Sequence, residues 1–143
     1  MSFDLKISQG DLVIGQNGDF TKTENTEKLI QDILKIALTP LGGNQFFPFY
    51  GSPISRTLIG NAFNFEFIST MASNQLRTSL ETLQKLQKLQ LSAGQKLTAE
   101  EMLAAIQNVT IERNQTDPRF FRVIIQALSR SMTPVTTSFD VSV

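Results

Sequence analysis

Val135-Thr136-Thr137-Ser138-Phe139-Asp140-Val141-Ser142-Val143 alternates without a break: Val135, Thr137, Phe139, Val141 and Val143 fall on one side and Thr136, Ser138, Asp140 and Ser142 on the other. Side chains two residues apart share a face of a strand, so this stretch predicts a strand with one apolar and one polar face. Upstream, Arg119 to Leu128 carries Phe121, Val123 and Ile125 with apolar residues on both faces, and Val109 and Ile111 alternate with Thr110 and Glu112. Asp117-Pro118 between them has turn chemistry. The three stretches predict an antiparallel β meander.

The middle of the chain has a different period. From Thr26 to Leu38, Leu29, Ile30, Ile33, Leu34 and Ala37 recur three and four apart, which places them on one helical face. Thr23 or Asn25 is expected to cap this helix, and Pro40 to stop it. Phe63 to Leu91 reads as a longer helix with a stripe of Ile68, Ala72, Leu76, Leu80 and Leu83, ended by Ser92-Ala93-Gly94. Thr98 with Glu101 forms a capping box for a short third helix through Ile106. At the other end, Phe3, Leu5 and Ile7, then Gln9-Gly10, then Leu12, Val13 and Ile14 predict a hairpin. The expected fold is therefore α+β: a small antiparallel β-sheet, comprising the N-terminal hairpin and the C-terminal three-stranded meander, packed with two main α-helices and one short helix. At 143 residues and 41% hydrophobic, the chain has material for one core, and residues 1–143 are expected to form a single domain.

Two segments stand apart from this frame. Leu41 to Pro53 holds three glycines, two prolines and four aromatic residues, a composition unlike a solvated linker. Phe46, Phe47, Phe49 and Tyr50 are expected to fold the loop onto the body through their rings. In Leu83-Gln84-Lys85-Leu86-Gln87-Lys88-Leu89-Gln90-Leu91 the leucines Leu83, Leu86 and Leu89 recur every third residue, so the apolar line winds around the helix. It is read first as a helix end packed by two neighbours or a tightened last turn, since apolar stripes are most often core. The second reading makes Leu86 and Leu89 a ridge facing a partner.

Composition narrows the chemistry. The sequence has no His and no Cys, which removes imidazole and thiolate catalysis, zinc ligation by those groups and disulfides. Carboxylates are what remain, as a glycosidase pair or an oxygen-ligand metal site. Asp4, Asp11, Asp19, Glu24, Glu27, Asp32, Glu66, Glu81 and Glu112 look scattered over surface positions, and Glu100-Glu101 reads as the first turn of the third helix. No catalytic, cofactor or metal residue is assigned, and no enzyme activity is expected. Thirteen basic residues balance thirteen acidic ones. Such a chain has no long-range field toward nucleic acid, and Arg113, Arg119, Arg122 and Arg130 with Phe120 and Phe121 are explained as ordinary sheet residues. No apolar run approaches the roughly 20 residues that cross a bilayer. The chain is expected to be soluble, without membrane or nucleic-acid partners. A terminal strand with few charges can pair inside its own sheet or offer its outer backbone to another chain.

Thr39-Pro40-Leu41-Gly42-Gly43-Asn44-Gln45-Phe46-Phe47-Pro48-Phe49-Tyr50-Gly51 fits a Thr-x-x-Gly-x-x-x-Phe-x-Pro-x-Phe/Tyr-Gly pattern. It resembles the signature loop of the baseplate wedge, or sheath-initiator, family of contractile phage tails and related contractile injection systems. Thr39, Gly42, Phe46, Pro48, Tyr50 and Gly51 carry the likeness, and the order of helix, loop, long helix and β meander agrees with it. Asp11-Leu12-Val13-Ile14 and Gly18-Asp19-Phe20 also look like the amino-terminal part of some phage members. Two departures are visible: Gly43-Asn44-Gln45 stands where members often have Gly-Glu-Arg, and no Glu-Pro-Arg triplet precedes the last strands.

The resemblance implies a virion tail baseplate protein, assembled in the host cytoplasm, with six copies around the tail axis. It implies strand exchange with the tail sheath protein through Val135, Thr137, Phe139, Val141 and Val143, and contact with the larger baseplate wedge proteins on another face. Hub or tube proteins are further neighbours it allows. Two alternatives stay open: a connector in a non-contractile tail hub, and a carboxylate-dependent, lysozyme-like cell-wall glycosidase.

Overall fold

The computed structural model describes residues 3–58 and 64–142. Its elements run β1 (Asp4–Leu5), β2 (Ile7–Ser8), β3 (Asp11–Leu12), β4 (Lys22–Thr23), α1 (Asn25–Leu38), α2 (Ile54–Leu58), α3 (Phe65–Ser92), β5 (Leu103–Arg113), β6 (Phe120–Ser129) and β7 (Pro134–Ser142). The fold is α+β, with β5, β6 and β7 forming an antiparallel three-stranded sheet in that order. Gln9-Gly10, both at positive φ, make the tight turn that pairs Ile7 with Leu12 and Ser8 with Asp11. β1 turns instead to β4, so the N-terminal strands form two small ladders separate from the main sheet.

The helical stripes supply most of the core, but in α1 Ile30 and Leu34 are half-buried while Ile36, outside the predicted stripe, is fully buried. Leu29, Ile33 and Ile36 of α1 meet Ala72, Leu76 and Leu80 of α3 above Val123, Ile125, Ala127 and Val135 of the sheet, all essentially excluded from water. Each large aliphatic side chain so buried contributes about 1.5–3 kcal/mol. α3 packs along β5, and α1 packs against α3 and β7.

Two local expectations are corrected. Neither Thr23 nor Asn25 caps α1: the cap position is Glu24, whose side chain makes no capping bond. Asn25 has φ 54°, and its N–H donates to Glu101 Oε1 at 3.4 Å, so a residue far along the chain serves that helix end. The short helix expected from Thr98 to Ile106 is absent. Glu101 does accept the Thr98 N–H at 3.1 Å, as in a capping box, but Glu101 is fully buried and only one turn forms before β5 begins at Leu103. The short helix of this fold is α2. For the long helix, Phe63 lies outside the described residues; Asn64 caps it by accepting the Phe67 N–H at 3.2 Å. Gly94, at φ 86°, ends it, with Gln95 N–H bonded to Gln90 O.

Candidate functional site

The two margins of the main sheet differ, and the register shows how. The turn joining β6 to β7 bonds Ser129 N–H to Thr133 O at 3.0 Å. In an antiparallel ladder such pairs recur every second residue, and the register runs unbroken from Leu128↔Pro134 to Phe120↔Ser142. Val135, Thr137, Phe139 and Val141 therefore direct their backbone groups to β6, while Thr136, Ser138, Asp140 and Ser142 direct theirs outward. Among the described residues, nothing pairs with that outward set. Pro134, which has no N–H, also falls at an outward position, where its missing donor costs no ladder bond. Val135, Thr137, Phe139 and Val141 thus lie on the strand, with side chains on the core face and Val135 fully buried; Val143 lies outside the described residues.

The same alternation assigns outward backbone to Leu103, Ile106 and Val109 of β5, which pair with Ser129, Ala127 and Ile125. Here the margin is occupied from Leu103 to Val109; Ile111 and Arg113, which pair with Val123 and Phe121, also face outward beyond that span. Ser73 Oγ donates to Val109 O at 3.3 Å, Arg77 Nη1 to Ile106 O at 3.3 Å, and Gln84 Nε2 to Ala104 O at 2.8 Å and Leu103 O at 3.4 Å. Gln87 accepts the Leu103 N–H at 2.8 Å. These four residues are spaced by four, seven and three along α3, so they share one stripe of the helix. Register shifts between Leu103 and Ala105 and between Ile106 and Asn108 distort the same margin further.

The signature loop and the leucine ridge meet on another face. Ser52 N–H donates to Thr39 O, and Leu41 N–H to Ser52 O, which closes the loop at its base. Asn44 Oδ1 accepts the N–H groups of Phe46 and Phe47 inside it. Tyr50 packs against the core, but Phe46 is 88% exposed, and Phe47 and Phe49 about half so. The expectation that the rings fold the loop onto the body is corrected: its own backbone bonds fix its shape, and three rings are left in water. Leu86 is half-buried and Leu89 is 64% exposed, so the reading of that helix end as wholly packed fails at Leu89. Phe47, Tyr50, Leu86 and Leu89 line one open groove of about 470 Å³.

Next to it lies a polar cavity of about 310 Å³ bordered by Asp4, Lys28, Asp32, Lys35, Tyr50 and Gln87. Lys28 Nζ bonds Asp32 Oδ2 at 2.9 Å, Lys35 sits 4.0 Å from Asp32, and Lys35 also pairs with Asp4. Burial raises the Asp32 carboxyl above its ordinary value, Lys28 partly opposing this; burial lowers the Lys35 ammonium. Burial, helped by Asp32, raises the Tyr50 phenol. Two carboxylates are brought together here, and each is held by a lysine. Among the described residues no three acidic side chains form a metal-binding group, and no helix is long and apolar enough to cross a membrane.

A solved structure shares this fold. It is the crystal structure of a protein from Geobacter sulfurreducens described as a candidate tail lysozyme, with a TM-score of 0.61 and 15% sequence identity, covering 82% of this chain and 89% of that one. At that identity the likeness is one of fold. No family model matches the sequence, and no curated protein matches it.

Placed on this fold, the arginines of the sheet have partners. Arg122 Nε bonds Asp140 across the β6 and β7 ladder at 3.0 Å, Arg119 pairs with Asp117 at 2.9 Å, and Arg113 donates to Pro118 O. Sequence reasoning missed the stripe Ser73, Arg77, Gln84 and Gln87 and the pairing of Asp4 with Asp32 through Lys35. The spacing of Lys28, Asp32 and Lys35, three and four apart, was the visible signal for the second.

Proposed function

We propose that this chain is a structural, non-enzymatic component of a tail baseplate, joining the baseplate wedge to the first sheath ring of a contractile tail and initiating sheath assembly by β-strand exchange. The observation that carries this reading is the outer margin of β7, where Thr136, Ser138, Asp140 and Ser142 direct backbone groups away from the sheet. An incoming strand would gain main-chain bonds there, and its alternate side chains would fix register. The groove between loop and ridge, lined by Phe47, Tyr50, Leu86 and Leu89, is the surface offered to the larger wedge proteins. The likeness of fold to a tail protein supports the setting.

The test uses the purified chain and its tail sheath protein. Wild type should nucleate sheath, and Ser138→Pro, which removes an outward N–H and leaves the β6 ladder intact, should not. Normal sheath growth on a folded Ser138→Pro variant sinks the proposal. The name of the solved neighbour favours a second reading, glycoside hydrolysis, with Asp4 and Asp32 as the carboxylates. Both are ion-paired to lysine, whereas a general acid must be free to give up its proton to the leaving oxygen. A peptidoglycan-clearing assay on wild type and Asp32→Asn decides between the two.

A further inference from the structure

A sheet with two open margins adds copies of itself. β7 of one chain would pair with β5 of the next, a head-to-tail contact that does not close and so grows into a fibre. In this chain one of the two margins is taken over its first half, from Leu103 to Val109. The outward carbonyls of Val109, Ile106 and Leu103 accept bonds from Ser73, Arg77 and Gln84 in turn, and the Leu103 N–H is held by Gln87. We infer that this stripe of α3 makes the sheet a one-sided strand acceptor, and that the occupant it keeps off β5 is the β7 strand of a second copy.

The assignment rests on two independent observations that agree. The ladder alternation, counted from the Ser129 to Thr133 bond, predicts which β5 residues face outward; the residues that α3 contacts include Leu103, Ile106 and Val109, the outward ones of that span. The stripe is also polar along its whole length. Ser73, Arg77 and Gln84 are half-buried, and Gln87 is buried. Their donors match the spacing of the carbonyls beneath them. Over the same span, the two register shifts turn β5 away from the flat geometry a new strand needs. The inference concerns a second copy of this chain, so it stands or falls apart from the identity of any tail partner.

The test compares self-association by sedimentation velocity across a wide concentration range. Ser73→Ala/Arg77→Ala/Gln84→Ala frees the carbonyls and leaves the buried Gln87 in place. It is expected to associate at least tenfold more tightly than wild type, and adding Ser138→Pro in β7 is expected to restore wild-type behaviour. Arg77→Ala alone should show the same trend more weakly, which covers the case in which the triple variant does not fold. A folded triple variant, or a folded Arg77→Ala, that associates no more than wild type overturns the inference. So does association that Ser138→Pro leaves unchanged.

Discussion

Gln87 Oε1 accepts the Leu103 amide hydrogen at 2.8 Å while its Nε2 donates to the Glu101 carbonyl at 2.9 Å. One side-chain amide thus binds the two groups that one residue of a neighbouring parallel strand would bind through its own N–H and C=O. It is 3% exposed, so water cannot replace it. Gln87→Leu keeps the volume but strands a buried N–H and a buried C=O, each costing about 1–3 kcal/mol. The expected loss is roughly 2–4 kcal/mol, read from the urea midpoint at unchanged slope.

Gly51 stands at φ 118° with the Thr39 carbonyl only 2.6 Å from where a Cβ would lie. The loop closes through this point, since Ser52 N–H bonds that same carbonyl. Gly51→Ala is expected to destabilise by more than the 1–3 kcal/mol of ordinary backbone strain, because a clash is added to the conformation. Gly42, at φ 80° with open space around it, has the strain alone, so Gly42→Ala should cost about 1 kcal/mol. Thermal unfolding of the two variants side by side gives the ranking; equal losses would count against the closed loop base.

Phe46 and Leu89 make the opposite case, apolar side chains whose removal the fold should not notice. Exposed positions without partners change stability by no more than about 0.5 kcal/mol. Phe46→Ala and Leu89→Asp should therefore unfold like wild type, while Leu76→Ala, in a fully buried site, should lose about 2–5 kcal/mol. If the groove is a wedge contact, Leu89→Asp weakens wedge-protein capture in a pull-down at unchanged stability. Full capture by that variant removes the groove from the proposed function.

Where a signal was local, the residues announced their structure. The alternation from Val135 to Ser142, the stripes in α1 and α3 and the Asp117-Pro118 turn needed only period and turn chemistry. Where the deciding contact lay far away, they did not. Thr98 and Glu101 satisfy the capping-box pattern, and the Glu101 bond to Thr98 N–H forms, yet Asn25 and Gln87 bind Glu101 and lead the chain into a strand. The rings of the loop looked too apolar for water because the bonds from Asn44 and Ser52 that hold its backbone cannot be read from composition. Asp4 and Asp32 looked scattered because only the fold brings Lys35 between them.

Asp32 and Lys28 provide the pH test. Burial raises the Asp32 carboxyl, so folding favours its protonated form: that contribution is present below the unfolded carboxylate value and is lost as pH rises through the raised one. Lys28, 10% exposed at its side chain, opposes the shift. Lys28→Met removes that opposition, so Asp32 should titrate higher still and stability should fall more steeply between acid and neutral pH than in wild type. At neutral pH the single variant leaves a buried carboxylate short of its partner, a loss of roughly 3–5 kcal/mol, tempered here by Lys35 at 4.0 Å. Lys28→Met/Asp32→Leu removes both charges and should recover most of that loss, with the acid-to-neutral slope flattened. Urea unfolding of the three proteins at several pH values separates the outcomes. A single variant as stable as wild type at neutral pH, with the same pH slope, would show that this ion pair does not govern the cavity between α1 and α3.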